Sequence, residues 1–209
     1  VLEMGDIVYQ MAELSIDVFR DEDPDIPARV RTFDDKVDLL LKEIKLFLIR
    51  VSELAPEGMN QSVIDVISVG SDLEGAADTI DHHLLDLAKR KRKAKLEFSP
   101  EGWKDLEALH QMAMRATSLA VTHFQTEDSK LAEQLLRLKY EVRELENKSR
   151  EAHIARLSRD SRENFGSSAI FLETLNTYLQ LVELLSRHAQ RVLKGSDSRD
   201  IQLRSEKQG

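Results

Sequence analysis

The residues of this chain best equipped for chemistry are carboxylates set one helical turn apart. Asp34 and Asp38 stand in Asp34-Asp35-Lys36-Val37-Asp38, and Glu74 and Asp78 in Ser71-Asp72-Leu73-Glu74-Gly75-Ala76-Ala77-Asp78. Residues four apart share a helix face, so each segment presents two acids about 6 Å apart. If the two helices pack as neighbours, four carboxylates meet. Two of them at that separation repel by about 3 kcal/mol at an effective dielectric of about 20, so an empty cluster is destabilising and a bound cation reverses the sign. Asp34, Asp38, Glu74 and Asp78 are therefore the candidate metal ligands. Oxygen-only ligation suits hard ions such as Mg²⁺, Ca²⁺ or Mn²⁺, and carboxylates also hold ferric iron (Fe); zinc, preferring nitrogen and sulfur, fits less well. His82, four residues after Asp78, is a further residue able to reach such an ion, although it and His83 read first as surface residues.

Either acid pair alone reads as a solvated helix face, because about a third of the chain is charged. Placement is what favours a site. Asp34 and Asp38 border Phe33 and Val37 on an apolar stripe, and Gly75-Ala76-Ala77 is a run of small residues that lets a neighbouring helix or an ion come close.

The elements that must position these acids are helices. The 209 residues include no cysteine and few aromatics, which excludes disulfides and thiolate metal sites and bounds the chain to one or two modest cores. No apolar run approaches the length of about 20 residues that a membrane helix needs. The chain starts at Val1 with neither an initiator methionine nor a signal-peptide pattern, and is expected to be part of something longer or trimmed. Its net charge of −8 is uneven: residues 1–98 hold 21 acidic and 13 basic side chains, and the remainder holds 17 of each. The acid excess of the first half favours cations. It argues against nucleic acid, since one basic run, Lys89-Arg90-Lys91-Arg92-Lys93-Ala94-Lys95, is no phosphate-tracking surface. That run reads as a solvated helix end, with an anionic membrane surface or an acidic partner as the functional alternative.

Apolar residues at three and four spacing predict six helices and no strand. They run over about Glu3–Phe19, Ala28–Leu54, Gln61–Lys93, Ser99–Phe124, Asp128–Ser158 and Ser161–Leu193. Ala55-Pro56-Glu57-Gly58 stops the second. Ser99-Pro100-Glu101 opens the fourth as N-cap, first-turn proline and first-turn acid. The short-long-long rhythm, repeated, predicts an all-α fold of two tandem three-helix bundles, residues 1–97 and 98–195, with 196–209 a flexible tail.

Enzyme chemistry has no foothold: there is no nucleophile elbow and no phosphate-cradling glycine loop. Di-iron bundle enzymes need two Glu-x-x-His motifs, and only Glu107-Ala108-Leu109-His110 is present.

The two acid segments, with Leu39-Leu40-Leu41-Lys42-Glu43-Ile44 following the first, resemble the paired acid motifs of PhoU-like domains. Met4-Gly5-Asp6-Ile7-Val8-Tyr9-Gln10-Met11 is similar to the first helix of the version fused behind sodium/phosphate cotransporter membrane domains. The resemblance covers Glu3 to Leu193. It implies a cytoplasmic regulator of phosphate transport at the inner face of the membrane, with a phosphate transporter membrane domain as partner in cis or in trans. It also implies metal on each bundle in some members; a homodimer is left open. Asp34, Asp38, Glu74 and Asp78 match the family's first-bundle acids, whereas Gly75-Ala76-Ala77 and Thr79 replace its usual Arg-Ile-Gly and His. In the second bundle Glu146, His153, Glu173 and Glu183 fit the pattern, but Thr177 and Leu179 stand where acids are expected. A second metal site is therefore expected to be weakened or absent. The reading from a different class is a helical adaptor whose acid pairs are solvated and whose apolar grooves bind a partner helix.

Overall fold

A computed structural model describes residues 1–20, 23, 25–54, 60–158 and 165–195. The expected stop at Ala55 to Gly58, the expected helix start at Ser161 and the tail 196–209 lie outside them. Among the described residues the structure is all helical, and the helices group into six rods forming two three-helix bundles in tandem.

The first rod is broken where the periodicity predicts continuity. Helix α1 spans Leu2–Leu14 and a single turn, α2, spans Asp17–Arg20. Between them Ser15 is fully buried; its Oγ donates to the Ala12 carbonyl at 2.6 Å and lies 3.0 Å from the Tyr178 hydroxyl. A serine that bonds its own backbone competes with the helical ladder, and here the tertiary contact to Tyr178 holds it to that choice. Apolar spacing alone does not report such a break.

Helix α3 spans Asp25–Leu54, starting three residues before the expected Ala28 because Asp23 Oδ1 accepts from the Asp25 N–H at 2.9 Å. The third rod is continuous but not uniform: α4 spans Asn60–Asp78, a π-helical segment occupies Thr79–Leu84, and α5 spans Leu85–Lys93. Helix α6, Pro100–Thr126, opens as read from the sequence, with Ser99 Oγ accepting from the Gly102 N–H at 3.1 Å. Helix α7, Ser129–Leu157, is capped by Asp128, whose side chain accepts from the Lys130 N–H at 2.8 Å. Helix α8 spans Phe165–Leu185, and residues 187–195 continue helically after a turn at Ser186.

In the first bundle α1 packs on α3 and α4, and α3 on α4; in the second α6, α7 and α8 pack on one another. The bundles join along α1 against α6 and α4 against α8, so their apolar residues form one contiguous core. Asp72 reinforces that joint. Buried on α4, it accepts from Arg187 at 3.2 Å and from Arg191 at 2.9 Å, both on the helix beyond Ser186.

The basic run is less solvated than its composition predicts. Lys91 is buried, pairs with Glu97 at 3.1 Å and lies over the rings of Phe98 and Trp103 at 5.4 and 5.7 Å. Arg90 pairs with Glu173 of α8 at 3.1 Å. Thus part of the +6 segment stitches the bundles together, and Lys89, Lys93 and Lys95 remain exposed.

The close approach of α1 to α6 needs a residue without a side chain. A Cβ on Gly5 would lie 2.6 Å from Val121 Cγ2, inside van der Waals contact. Gly5→Ala should therefore lower stability by about 1–3 kcal/mol, the usual cost of overpacking. Paired with Val121→Ala it should cost less than the two single changes added, as thermal melts of the four chains would show.

Candidate metal centre

Asp34 is carried into the α3–α4 seam by its neighbours. Val30, Val37 and Leu41 on the same helix are buried in the core, and Asp34, one turn from Val30 and Val37, is drawn in with them to 7 % exposure. Its Oδ1 has no hydrogen-bond partner. On the facing helix Ala76 and Ala77 are fully buried, which brings the backbone of α4 close and turns Glu74 and Asp78 toward α3 half-exposed.

The π-helical segment begins where these acids end. Within it the Leu85 N–H bonds the Ile80 carbonyl, five residues back, in place of the usual four. His82, four residues on from Asp78, lies over it, with Nε2 3.5 Å from Asp78 Oδ1. Asp81, its carboxylate only 9 % exposed, lies on the other side of the imidazole, with Oδ2 3.2 Å from His82 Nδ1 and Oδ1 4.0 Å from Arg31 Nε. Asp34, Asp78 and His82 each present one ligand atom, and those atoms lie within 4.8 Å of one another. Such convergence is within the span of a single ion's coordination sphere.

Of the four acids picked out by spacing, Asp34 and Asp78 belong to this closest group. Asp38 is exposed and Glu74 half-exposed at its edge, near enough to act electrostatically: Asp38 and Asp78 both raise the Glu74 carboxyl, after burial, while Lys45 opposes them. Burial, then Asp81, Asp78 and Asp38, push the Asp34 carboxyl from its ordinary value of 3.8 up to about 6, with His82 partly offsetting them. Burial also raises Asp81, against the pull of His82 and Arg31. No arginine or lysine among the described residues ion-pairs with Asp34, Asp38, Glu74 or Asp78. Asp81 is the residue the sequence reading missed; its spacing of three from Asp78 was available, but only its near-complete enclosure distinguishes it from an ordinary surface acid.

The corresponding face of the second bundle is arranged differently. Glu146 is buried and bonded by Arg150; Arg143 bonds Glu183; Arg90 bonds Glu173. His153 packs against the Phe171 ring with centroids 4.7 Å apart. Each acid that fits the metal pattern there already has a guanidinium.

The architecture is an all-α pair of tandem three-helix bundles with acids facing each other across the second and third rods. The PhoU domain family pattern matches residues 1–84. The crystal structure of the phosphate transport system regulatory protein PhoU from Streptococcus pneumoniae superposes with a TM-score of 0.78 at 14 % identity, over 92 % of this chain and 89 % of that one. PhoU from Pseudomonas aeruginosa gives 0.77 at 17 % identity, over 92 % and 91 %. At these identities the likeness establishes the fold. In sequence the chain is 31 % identical over 199 residues to the "Putative inorganic phosphate export protein YjbB" of Salmonella typhimurium, and 29 % identical over 198 residues to the protein of that name from Escherichia coli K12. Both matches take in 94 % of this chain and 36 % of the relative, so the chain spans about a third of the length of these relatives.

A carboxyl raised in the folded state binds its proton more tightly there than in the unfolded chain, so it favours folding at low pH and that contribution is lost as pH rises through the folded value. Metal-free protein should therefore lose stability as pH climbs from about 4 to about 6, the window set by Asp34. Asp34→Asn should flatten that part of the pH profile, measured by chemical denaturation in the presence of chelator.

Proposed function

We propose that this chain is the regulatory PhoU-like domain of a phosphate-transport protein, reading out its state through a metal ion held in the first bundle. The protein it serves would be sodium-coupled or an exporter of the kind named for its relatives, with the domain on the cytoplasmic side of the membrane and the transporter's membrane domain as its partner. In this reading residues 1–97 form the metal-bearing unit and 98–195 the supporting one. Asp34, Asp38, Glu74 and Asp78 hold the ion, Asp34 and Asp78 directly and the other two from its edge. The observation that carries the reading is Asp34: a carboxylate nine-tenths buried, with an unpartnered oxygen, beside Asp78 and Asp38, with no guanidinium or ammonium among the described residues paired to any of the three. Burying such a group uncompensated is costly, and a cation removes the cost.

The adaptor reading has its own observation. No described residue from 42 to 68 is buried, and at this distal end of the α3–α4 pair Leu46, Phe47, Ile49 and Ile64 expose 43 to 64 % of their surface. Large apolar side chains gathered at one end of a helical pair suit contact with another protein. The two readings are compatible if the metal site governs how that end is presented to the transporter.

Purified protein should carry metal that is absent from a chain with Asp34→Asn, Asp38→Asn, Glu74→Gln and Asp78→Asn together, as elemental analysis would show. At a hundredfold excess over Kd the ion should stabilise the protein by about 2.7 kcal/mol. Equal metal content and unchanged melting in the two chains would leave the adaptor reading alone. Because its acids are occupied by Arg150, Arg143 and Arg90, the second bundle should contribute no metal, so Glu146→Gln with Glu173→Gln should leave metal content unaltered.

A further inference from the structure

We infer that the basic cleft between α2 and the end of α5 is a binding site for a soluble anion of linked phosphoryl groups, of the pyrophosphate or tripolyphosphate class. The inference goes beyond the function proposed above and is independent of any metal in the first bundle.

Unbalanced charge in one concavity carries the argument. An open cleft of about 550 Å³ is lined by Arg20 of α2, by Lys91 and Arg92 of α5 and by Lys95 just beyond it, against one carboxylate, Glu97. The flanking clefts differ: the one toward α3 places Asp81 and Asp86 beside its cations, and the one toward α6 places Glu13, Asp17 and Glu107. Arg92 and Lys95 ion-pair with no acid among the described residues, and Arg92 donates to the Val18 carbonyl at 3.5 Å. Lys91 is nine-tenths buried, yet the side chain of Glu97, with which it pairs, is 80 % exposed. Nor does the helix end require these cations. Basic residues in a last turn commonly answer its free carbonyls. Here the carbonyls of Arg90, Lys91 and Arg92 accept from the backbone N–H groups of Ala94, Leu96 and Lys95 at 3.1, 3.0 and 3.0 Å.

The backbone at Lys95 is the second, independent sign. The bonds of Leu96 and Lys95 form a Schellman turn, and Lys95 occupies its left-handed position with φ 52°. Glycine is the usual residue there, because a Cβ is crowded by the following carbonyl. Folding alone would be better served by glycine; a lysine at this strained place adds a cation to the wall of the cleft. The ligand class follows from the charge. Guanidinium groups fork onto phosphoryl oxygens, and ammonium groups meet them as point charges. Four cations less one acid leave a surplus of three. A terminal phosphoryl group carries about 1.5 to 2 negative charges where a carboxylate carries one, so two or three linked phosphoryl groups balance that surplus within a single small ion. Lipid headgroups offer the same oxygens on a flat sheet, whereas a recess suits a free ion.

Isothermal titration of the whole chain in metal-free buffer with tripolyphosphate, orthophosphate and a glutamate peptide of matched charge tests this, beside sedimentation with phosphatidylglycerol vesicles. Tripolyphosphate is expected to bind about tenfold tighter than orthophosphate, with affinity falling as salt is raised. Lys95→Gly and Arg92→Gln should each weaken it about 3- to 10-fold. Lys93→Gln removes the same charge from an exposed position outside the cleft and should change affinity by less than about twofold. Glu97→Gln removes the competing acid and should tighten binding. Because glycine relieves the left-handed position, Lys95→Gly should melt no lower than the parent chain, which separates lost binding from lost folding. No binding of tripolyphosphate, equal losses in Lys93→Gln and Lys95→Gly, or a glutamate peptide bound as tightly would each overturn the proposal. Vesicle binding in place of tripolyphosphate binding would assign the surface to lipid headgroups and overturn it as well.

Discussion

The depth of Asp34 in the α3–α4 seam is the constraint from which the rest of the site follows. Val30, Val37 and Leu41 must be buried to build the first bundle's core, and a residue on the same helical stripe cannot stay behind in water. The carboxylate is therefore held in a medium where its charge is costly and where the neighbouring acids cannot be screened. Its proton is retained up to about pH 6, and Glu74 and Asp81 are displaced the same way. Small residues on the facing helix keep that seam narrow. Larger ones at Ala76 and Ala77 would separate the helices and let water in, and the electrostatic tension would be lost.

The contrast between the two bundles shows the alternative solution to the same problem. In the second bundle the acids at equivalent places are answered by arginines, one of which, Arg90, reaches across from the first bundle. A guanidinium bound to a carboxylate supplies the counter-charge from within the chain. The first bundle leaves its acids without such partners. The asymmetry is one of charge, and the two bundles are joined through one core and through Asp72 with Arg187 and Arg191.

The distal α3–α4 end and the acid cluster occupy the same two rods. α3 is about 45 Å long at 1.5 Å per residue, whereas α1, packed against its first half, is about 20 Å. The second half of α3 therefore extends past the core that holds its first half. Under the proposed metal reading, an ion held at Asp34 and Asp78 would act at the root of that extension.

Much of this was present in the amino-acid order. Helical spacing fixes which residues of α3 and α6 face inward, local side-chain chemistry fixes the starts of α6 and α7 at Ser99 and Asp128, and the four-residue spacing of acids selects Asp34 and Asp78, because each depends on neighbours within a turn. Other features depend on partners far away in the chain. The break at Ser15 needs Tyr178, the inward turn of Lys91 needs Phe98 and Trp103, and the arginines that occupy the second bundle's acids include one from another bundle. The widened turn at Thr79–Leu84, where Asp81 is enclosed, has no local signature in residue spacing. Tertiary packing decided it, since a side chain's depth, and with it the charge it can hold and the ion it can bind, is a property of what lies opposite rather than of what lies beside it in sequence.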